Sequence, residues 1–227
     1  MIASHFRRRS VRPLQRPLLD RLIFLEEPQS ATAEAVRALR TRIMAQHLAS
    51  GHKAMALCAA TANVGCSFIA ANLAIACAQI GINTALVDTD IRAPNIHRLF
   101  GLPDNTYGVA DHLAQRSAKI DPCLQNGLVP SLSIVTAGSV LPNPQELLAA
   151  QRFQIFADQI TARFDLTIFD TPPTNICTDA QRVATVVGHA LLVARKHTSF
   201  VNDVTTLSRL LRADRADLIG SVMTVAD

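Results

Sequence analysis

The sequence has no tryptophan, one tyrosine and only 4% aromatic residues, so a core of stacked rings is excluded and aliphatic strands with alanine-rich helices must supply it. It also lacks a long unbroken apolar run. The most hydrophobic stretch, Ala54 to Val87, is interrupted by Asn63, Gly65, Ser67, Asn72, Gln79 and Asn83, and it reads as strand, loop, helix and strand. No segment is expected to span a membrane. The five cysteines, Cys58, Cys66, Cys77, Cys123 and Cys177, show no metal-ligand spacing. Their odd number without a cleavable apolar leader points to free thiols in a reducing cytosol. Positive charge is in small excess, +4, and Arg7, Arg8, Arg9, Arg12 and Arg16 concentrate it in one arm, so a uniformly basic surface is excluded. Pro13, Pro17 and the absence of periodicity mark residues 1–25 as a flexible basic arm suited to an acidic partner or an anionic surface. Residues 26–227 are long enough for one α/β domain.

Past a short apolar run at Leu22 to Leu25, Ser30 offers an N-cap for a helix reaching about Ala49, closed by Gly51. Val36, Leu39, Ile43 and Leu48 form its apolar stripe. Glu34, Arg37 and Arg40 form a polar ridge in which Glu34 and Arg37 attract. Met55 to Ala60 reads as a buried strand, Ser67 to Ile80 as a helix ended by Gly81, and Thr84 to Val87 as the next buried strand. Further strands are expected at Leu132 to Val135, Leu166 to Phe169, Ala190 to Ala194 and Leu218 to Val222, with helices at Pro144 to Ala162 and Val201 to Leu211. Leu102 to Pro130 is the least periodic stretch, an excursion from the sheet with a short helix at Val109 to Gln115. Alternating strands and helices predict a doubly wound, mostly parallel sheet flanked by helices on both faces.

A phosphate-binding loop needs a strand, a tight turn whose N–H groups converge on an anion, and a helix whose N-terminus adds partial positive charge. Ala60-Thr61-Ala62-Asn63-Val64-Gly65-Cys66-Ser67 sits in that context. Against GxxxxGK[ST], Gly65 and Ser67 match, Ala60 is a small substitute and Cys66 replaces the lysine. Asp88 and Asp90, two apart at a strand end, are expected to project from one face of an extended chain, and Asp170 ends another strand at the same edge. Ser67 with these carboxylates makes an oxygen set suited to Mg²⁺ bridging nucleotide phosphates. The same aspartates would also serve as caps of the turns that follow their strands.

The segments Glu34-Ala-Val-Arg37-Ala-Leu-Arg40, Leu86-Val-Asp88-Thr-Asp90-Ile-Arg92-Ala-Pro94, His97-Arg-Leu-Phe-Gly101, Asn143-Pro-Gln-Glu146-Leu-Leu148 and Phe169-Asp170-Thr-Pro-Pro173 together resemble the bacterial tyrosine kinase family, over roughly Glu26 to Ala226. The resemblance implies a P-loop NTPase-like fold related to MinD and ParA, with ATP or ADP and Mg²⁺ as cofactors. It implies Asp88 as catalytic base, Ser67, Asp90 and Asp170 at the metal, and Ala60, Asn63, Val64, Gly65, Cys66 and Ser67 around the phosphates. Glu34, Arg37 and Arg40 would face a neighbouring subunit in a homo-oligomer. The implied partner is a membrane-embedded polysaccharide co-polymerase or chain-length regulator of the Wzz or Wzc type, with this chain cytoplasmic and peripheral at the inner membrane.

Departures from the family pattern point to a kinase-like regulator of capsule, exopolysaccharide or holdfast-type polysaccharide with impaired catalysis. Cys66 removes the phosphate-binding ammonium, a loss of about 3 kcal/mol or more for one electrostatic stabiliser. Asn63 and Val64 replace the usual Gly-Glu pair, Thr224 stands where an asparagine is usual, and Tyr107 is the one tyrosine, so no tyrosine-rich tail is present as acceptor. Arg92, Arg195 or Lys196 could lend a cation instead, which would make the chain an active autokinase acting on a partner's tyrosine. A partitioning ATPase of the ParA or MinD kind finds its only specific support in the arginine arm, and Thr61 occupies the place of that group's additional lysine. Nucleic acid is therefore not the expected partner.

Overall fold

The computed structural model describes residues 22–115, 119–139 and 143–225. The arginines of the arm lie outside them. The folded unit begins before position 26, because Leu22 is buried ahead of the short helix α1 (Ile23–Glu26) and Phe24 is buried within it.

One seven-stranded sheet runs in the order β3-β4-β2-β5-β1-β6-β7. Its strands are β1 (Ala54–Ala59), β2 (Thr84–Asp88), β3 (Leu124–Val129), β4 (Leu132–Val135), β5 (Leu166–Asp170), β6 (His189–Arg195) and β7 (Asp217–Thr224). All neighbours are parallel except β3 on β4. Every residue of β1, β2 and β5 is buried, which is why these strands read as continuous apolar runs rather than alternating ones.

Helices α2 (Ala31–Gln46), α3 (Cys66–Ala78) and α4 (Ile96–Leu99) join α1 on one face of the sheet. Helices α5 (Val109–Gln115), α6 (Pro144–Ala149), α7 (Gln151–Arg163), α8 (Asp179–Val187) and α9 (Val201–Ala213) cover the other. The first face is mainly aliphatic, with Leu57, Leu86, Ile168 and Val193 beneath the alanines of α3 and the rings of Phe24 and Phe100 in the same cluster. The second is filled by rings the composition had made scarce, Phe153, Phe156 and Phe169. Ten of the thirteen α3 residues are buried because α3 lies between the sheet and α2.

Ser30 caps α2 as its sequence predicts, its Oγ accepting the Ala33 N–H at 3.2 Å, and a 3₁₀ turn at Leu48–Ser50 leads to left-handed Gly51. Three elements depart from expectation. The helix expected over 144–162 breaks at Ala150 (φ −67, ψ 150), where Arg182 of α8 donates to the Leu148 and Ala149 carbonyls that end α6. The stretch 102–130 does contain the short helix at Val109–Gln115, but it also returns to the sheet as the antiparallel edge strand β3, whose pairing is irregular between Asn126 and Val129. Helix α8 was not foreseen at all.

The amino end of the sheet carries a histidine cluster. His47, just after α2, stands 4.8 Å from His189 at the start of β6 and 5.4 Å from His52, whose ring is 4.1 Å from His189, centroid to centroid. His47 is 1% exposed; its Nε2 bonds the Ala54 carbonyl at 3.0 Å, and its Nδ1 is buried without a partner.

Candidate functional site

The loop between β1 and α3 has the backbone of an anion cradle. Asn63 (φ 59) and Gly65 (φ 91) take left-handed conformations that few residues adopt, and asparagine tolerates this better than most. Helix α3 starts directly after Gly65, so its free N–H groups open at the carboxyl end of the sheet. The loop is fastened from outside. Thr174 and Asn175 donate N–H bonds to the carbonyls of Ala59 and Ala60, the Thr224 hydroxyl donates to the Val64 carbonyl at 2.7 Å, and Arg195 Nη1 donates to the Asn63 carbonyl at 3.1 Å.

Cys66 does not occupy this cradle as a lysine would. Its Sγ turns back toward the Leu57 carbonyl at 3.4 Å, an acceptor it shares with the Thr171 hydroxyl. Burial pushes the thiol well above its ordinary pKa, with Asp170 and Cys58 adding to the rise. The rise opposes the lowering expected at a helix N-terminus.

The carboxylates gather where expected, though not by the expected geometry. Asp88 and Asp170 end neighbouring strands in register, and both are buried, at 0% and 1% exposure. The strand stops at Asp88, so Asp90 does not lie on an extended chain with it. Instead Asp88 Oδ1 accepts the Asp90 N–H at 3.0 Å, and Oδ2 accepts those of Asn95 and Ile96 at 3.2 and 3.0 Å. Asp90 Oδ1 in turn accepts from Arg92 and Ala93. The capping role weighed for the three aspartates thus holds for Asp88 and Asp90, where it coexists with their clustering, and Asp170 Oδ1 caps nothing. Burial first, and Asp170 second, push Asp88 well above the carboxylate range. Burial raises Asp170 to about 7 with Asp90 contributing, while a hydrogen bond from the Ser67 hydroxyl opposes the rise.

One Asp170 oxygen, Oδ1, is buried with no hydrogen-bond partner. An orphan carboxylate oxygen beside the Ser67 hydroxyl fits a hard divalent cation. Among the described residues no three His, Cys, Asp or Glu side chains form a ready metal centre. A cation held here would therefore complete its shell with phosphate oxygens and water, as Mg²⁺ does. At position 66 the loop pattern's phosphate-binding ammonium is replaced by a thiol.

The loop residues Ala60, Asn63, Val64, Gly65, Cys66 and Ser67 thus share one edge with Asp88, Asp90 and Asp170. Glu34, Arg37 and Arg40 lie apart on α2. Glu34 pairs with Arg37 at 3.0 Å; Arg37 also donates to the Pro28 carbonyl and lies over the Phe24 ring. Arg40 reaches inward and donates to the Ala76 carbonyl of α3 at 3.0 Å. Of the spare cations, Arg92 is committed to buried Asp179 at 2.7 Å, a partner that sequence reasoning did not single out, since α8, which Asp179 opens, was itself not foreseen. Tyr107 is half-buried on the second core and bonds Gln115 at 3.2 Å.

A family model described as the NUBPL iron-transfer P-loop NTPases of the ParA group matches residues 52–225. The tyrosine-protein kinase YwqD of Bacillus subtilis is 31% identical over 89% of this chain and 84% of its own. The chain belongs to the bacterial tyrosine-protein kinases, within the P-loop NTPases. Tyrosine-protein kinase wzc of Salmonella typhi is also 31% identical over 88% of this chain, which spans only 28% of that longer protein. Among solved structures, the kinase domain of the Escherichia coli tyrosine kinase ETK, 29% identical, superposes with a TM-score of 0.84 over 90% of this chain and 80% of that one. MinD from Pyrococcus horikoshii, 18% identical, superposes with a TM-score of 0.65 over 75% of this chain and 69% of its own, a likeness of fold alone. The chain thus keeps the family's sheet, and carries a thiol where the loop pattern has an ammonium. No helix among the described residues is long and apolar enough to cross a membrane.

Proposed function

We propose that this chain is a kinase-like regulator of capsule, exopolysaccharide or holdfast-type polysaccharide polymerisation and export, whose site takes Mg-nucleotide weakly and transfers phosphate poorly. The observation that carries the reading is the Cys66 thiol, half-buried and turned back to the Leu57 carbonyl at the position where the loop pattern has a phosphate-gripping cation. The backbone cradle, Ser67 and the orphan oxygen of Asp170 supply what phosphate and Mg²⁺ need, with Asp90 beside them. Asp88 organises the loop carrying Asp90, and action as a base requires Asn95 and Ile96 to release its Oδ2. The chain works in the cytoplasm against a membrane-embedded co-polymerase or chain-length regulator, and copies associate through Glu34, Arg37 and Arg40.

A second reading, an active autokinase that phosphorylates a partner's tyrosine with the help of another cation, is favoured by the Arg195 contact to the loop. The partitioning reading gains nothing comparable, since the arm lies outside the described residues. Calorimetric titration of the purified protein with Mg-ATP and Mg-ADP tests the proposal. Weak, Mg²⁺-dependent binding without phosphate transfer supports it; micromolar affinity accompanied by transfer to a tyrosine overturns it.

A further inference from the structure

We infer that Arg195 supplies the positive charge toward the nucleotide phosphates that residue 66 no longer carries. The inference rests on the reading that this loop takes Mg-nucleotide, and it identifies the residue on which the remaining affinity depends.

Three cations near the carboxyl end of the sheet were candidates from sequence, and the structure separates them. Arg92 is neutralised by Asp179 through Nε at 2.7 Å, with Nη2 3.5 Å from the other carboxylate oxygen. Lys196 is exposed, and its backbone N–H is used on the Thr224 carbonyl. Arg195, half-buried at the end of β6, has Nη1 fixed on the Asn63 carbonyl inside the loop itself. Among the described residues it takes part in no ion pair, so its charge faces the loop uncompensated. A guanidinium has five N–H donors, and this contact uses one.

The neighbouring strand reinforces the arrangement. Arg195 pairs in register with Thr224, whose hydroxyl holds the Val64 carbonyl at 2.7 Å. Two successive loop carbonyls, those of Asn63 and Val64, are thus drawn toward the ends of β6 and β7. In trans peptides the N–H points opposite to its carbonyl, so the amides of Val64 and Gly65 are turned the other way, as an anion cradle requires. Arg195 therefore orients the loop amides from their carbonyl side, and its permanent, weakly hydrated cation adds positive potential to the anion-facing side from behind them.

A merely structural fastening would give the same contact, and the charge role is distinguished by substitution. Titrate wild type, Arg195→Gln, Arg195→Lys, Thr224→Val and Arg195→Gln with Cys66→Lys against Mg-ATP and Mg-ADP at low and high salt. Loss of a charge-assisted contact predicts that Arg195→Gln weakens binding by roughly 10-fold to 100-fold and flattens its salt dependence. Arg195→Lys keeps most of the affinity, and adding Cys66→Lys to the Gln variant restores it. Thr224→Val, which frees a loop carbonyl without removing charge, gives a smaller loss with the wild-type salt dependence. An unchanged affinity in Arg195→Gln, or equal and equally salt-dependent losses in the Gln and Val variants, overturns the role of Arg195 while leaving the nucleotide reading standing. Absence of any binding by the wild type overturns that reading, and this inference with it.

Discussion

At the carboxyl end of the sheet Asp88 and Asp170 lie side by side with their pKa values pushed up, whereas at the amino end His47 and His189 pack together with theirs pushed down. Burial is the leading cause at both ends. The difference lies in what each cluster leaves open. The carboxylates keep an orphan oxygen beside Ser67 and the start of α3, a place that an arriving cation and phosphate suit. The imidazoles are closed: protonating His47 would place a proton on Nδ1, which has no acceptor, beside a second imidazole. Buried like groups mark a binding site only where the surroundings leave room for the missing counter-charge.

The sharpest test of the open end is Cys66→Lys. Restoring the ammonium raises Mg-ATP affinity by roughly 100-fold, the scale of one electrostatic stabiliser, measured by calorimetry. An unchanged affinity would mean that the thiol costs the site nothing.

Next comes the pH response of the unliganded protein, where the two ends pull in opposite directions. Asp170, at about 7 in the folded chain against 3.8 as a model group, binds its proton more tightly when folded. It therefore favours folding below pH 4, and that contribution is lost as pH rises toward 7. His47, at about 4 against 6.5, is held neutral by folding, so its contribution is present above pH 6.5 and lost as pH falls toward 4. Asp88, which burial raises as well, adds to the Asp170 slope, so urea denaturation between pH 4 and 6.5 should show the two carboxylates opposing His47. Asp170→Asn removes its share of the acid slope, so stability at the acid end of the window should fall relative to wild type by on the order of 2 kcal/mol, and Mg²⁺ should no longer strengthen ADP binding. His47→Gln exposes the opposite slope, with stability rising on acidification. His52→Ala, at an exposed ring, is the smallest perturbation and should shift stability by less than about 0.5 kcal/mol.

Much of the carboxyl end was legible because buried parallel strands are continuous aliphatic runs. Met55 to Ala59 and Leu166 to Phe169 announce themselves, and the polar residue at each strand end marks the edge. The small helix at Val109–Gln115 was legible for a similar local reason. What stayed hidden depends on distant partners. The break at Ala150 sits in a helix-favouring Leu-Leu-Ala-Ala-Gln stretch and is decided by Arg182, thirty-odd positions away. Strand β3 contains Gln125, Asn126 and Gly127, which carry no strand pattern, and it pairs only because β4 offers it an edge. The engagement of both Asp88 oxygens requires the chain to curl back at Asn95 and Ile96, which no spacing encodes. Of the amino-end histidines, His47 and His52 share the connection from α2 to β1, but His189 opens β6 far along the chain, so no local motif could have joined it to them.

The placement of α2 has one further consequence. This helix, which carries Glu34, Arg37 and Arg40, rests on α3 rather than on the sheet, and Arg40 is tied to the Ala76 carbonyl near the far end of that same rod. The other tip of the rod is Cys66, at the phosphate loop. Under the association proposed above, a neighbour that seized the arginine ridge would grip the handle of a lever whose working end is the phosphate loop, and assembly would be geared to what that loop holds.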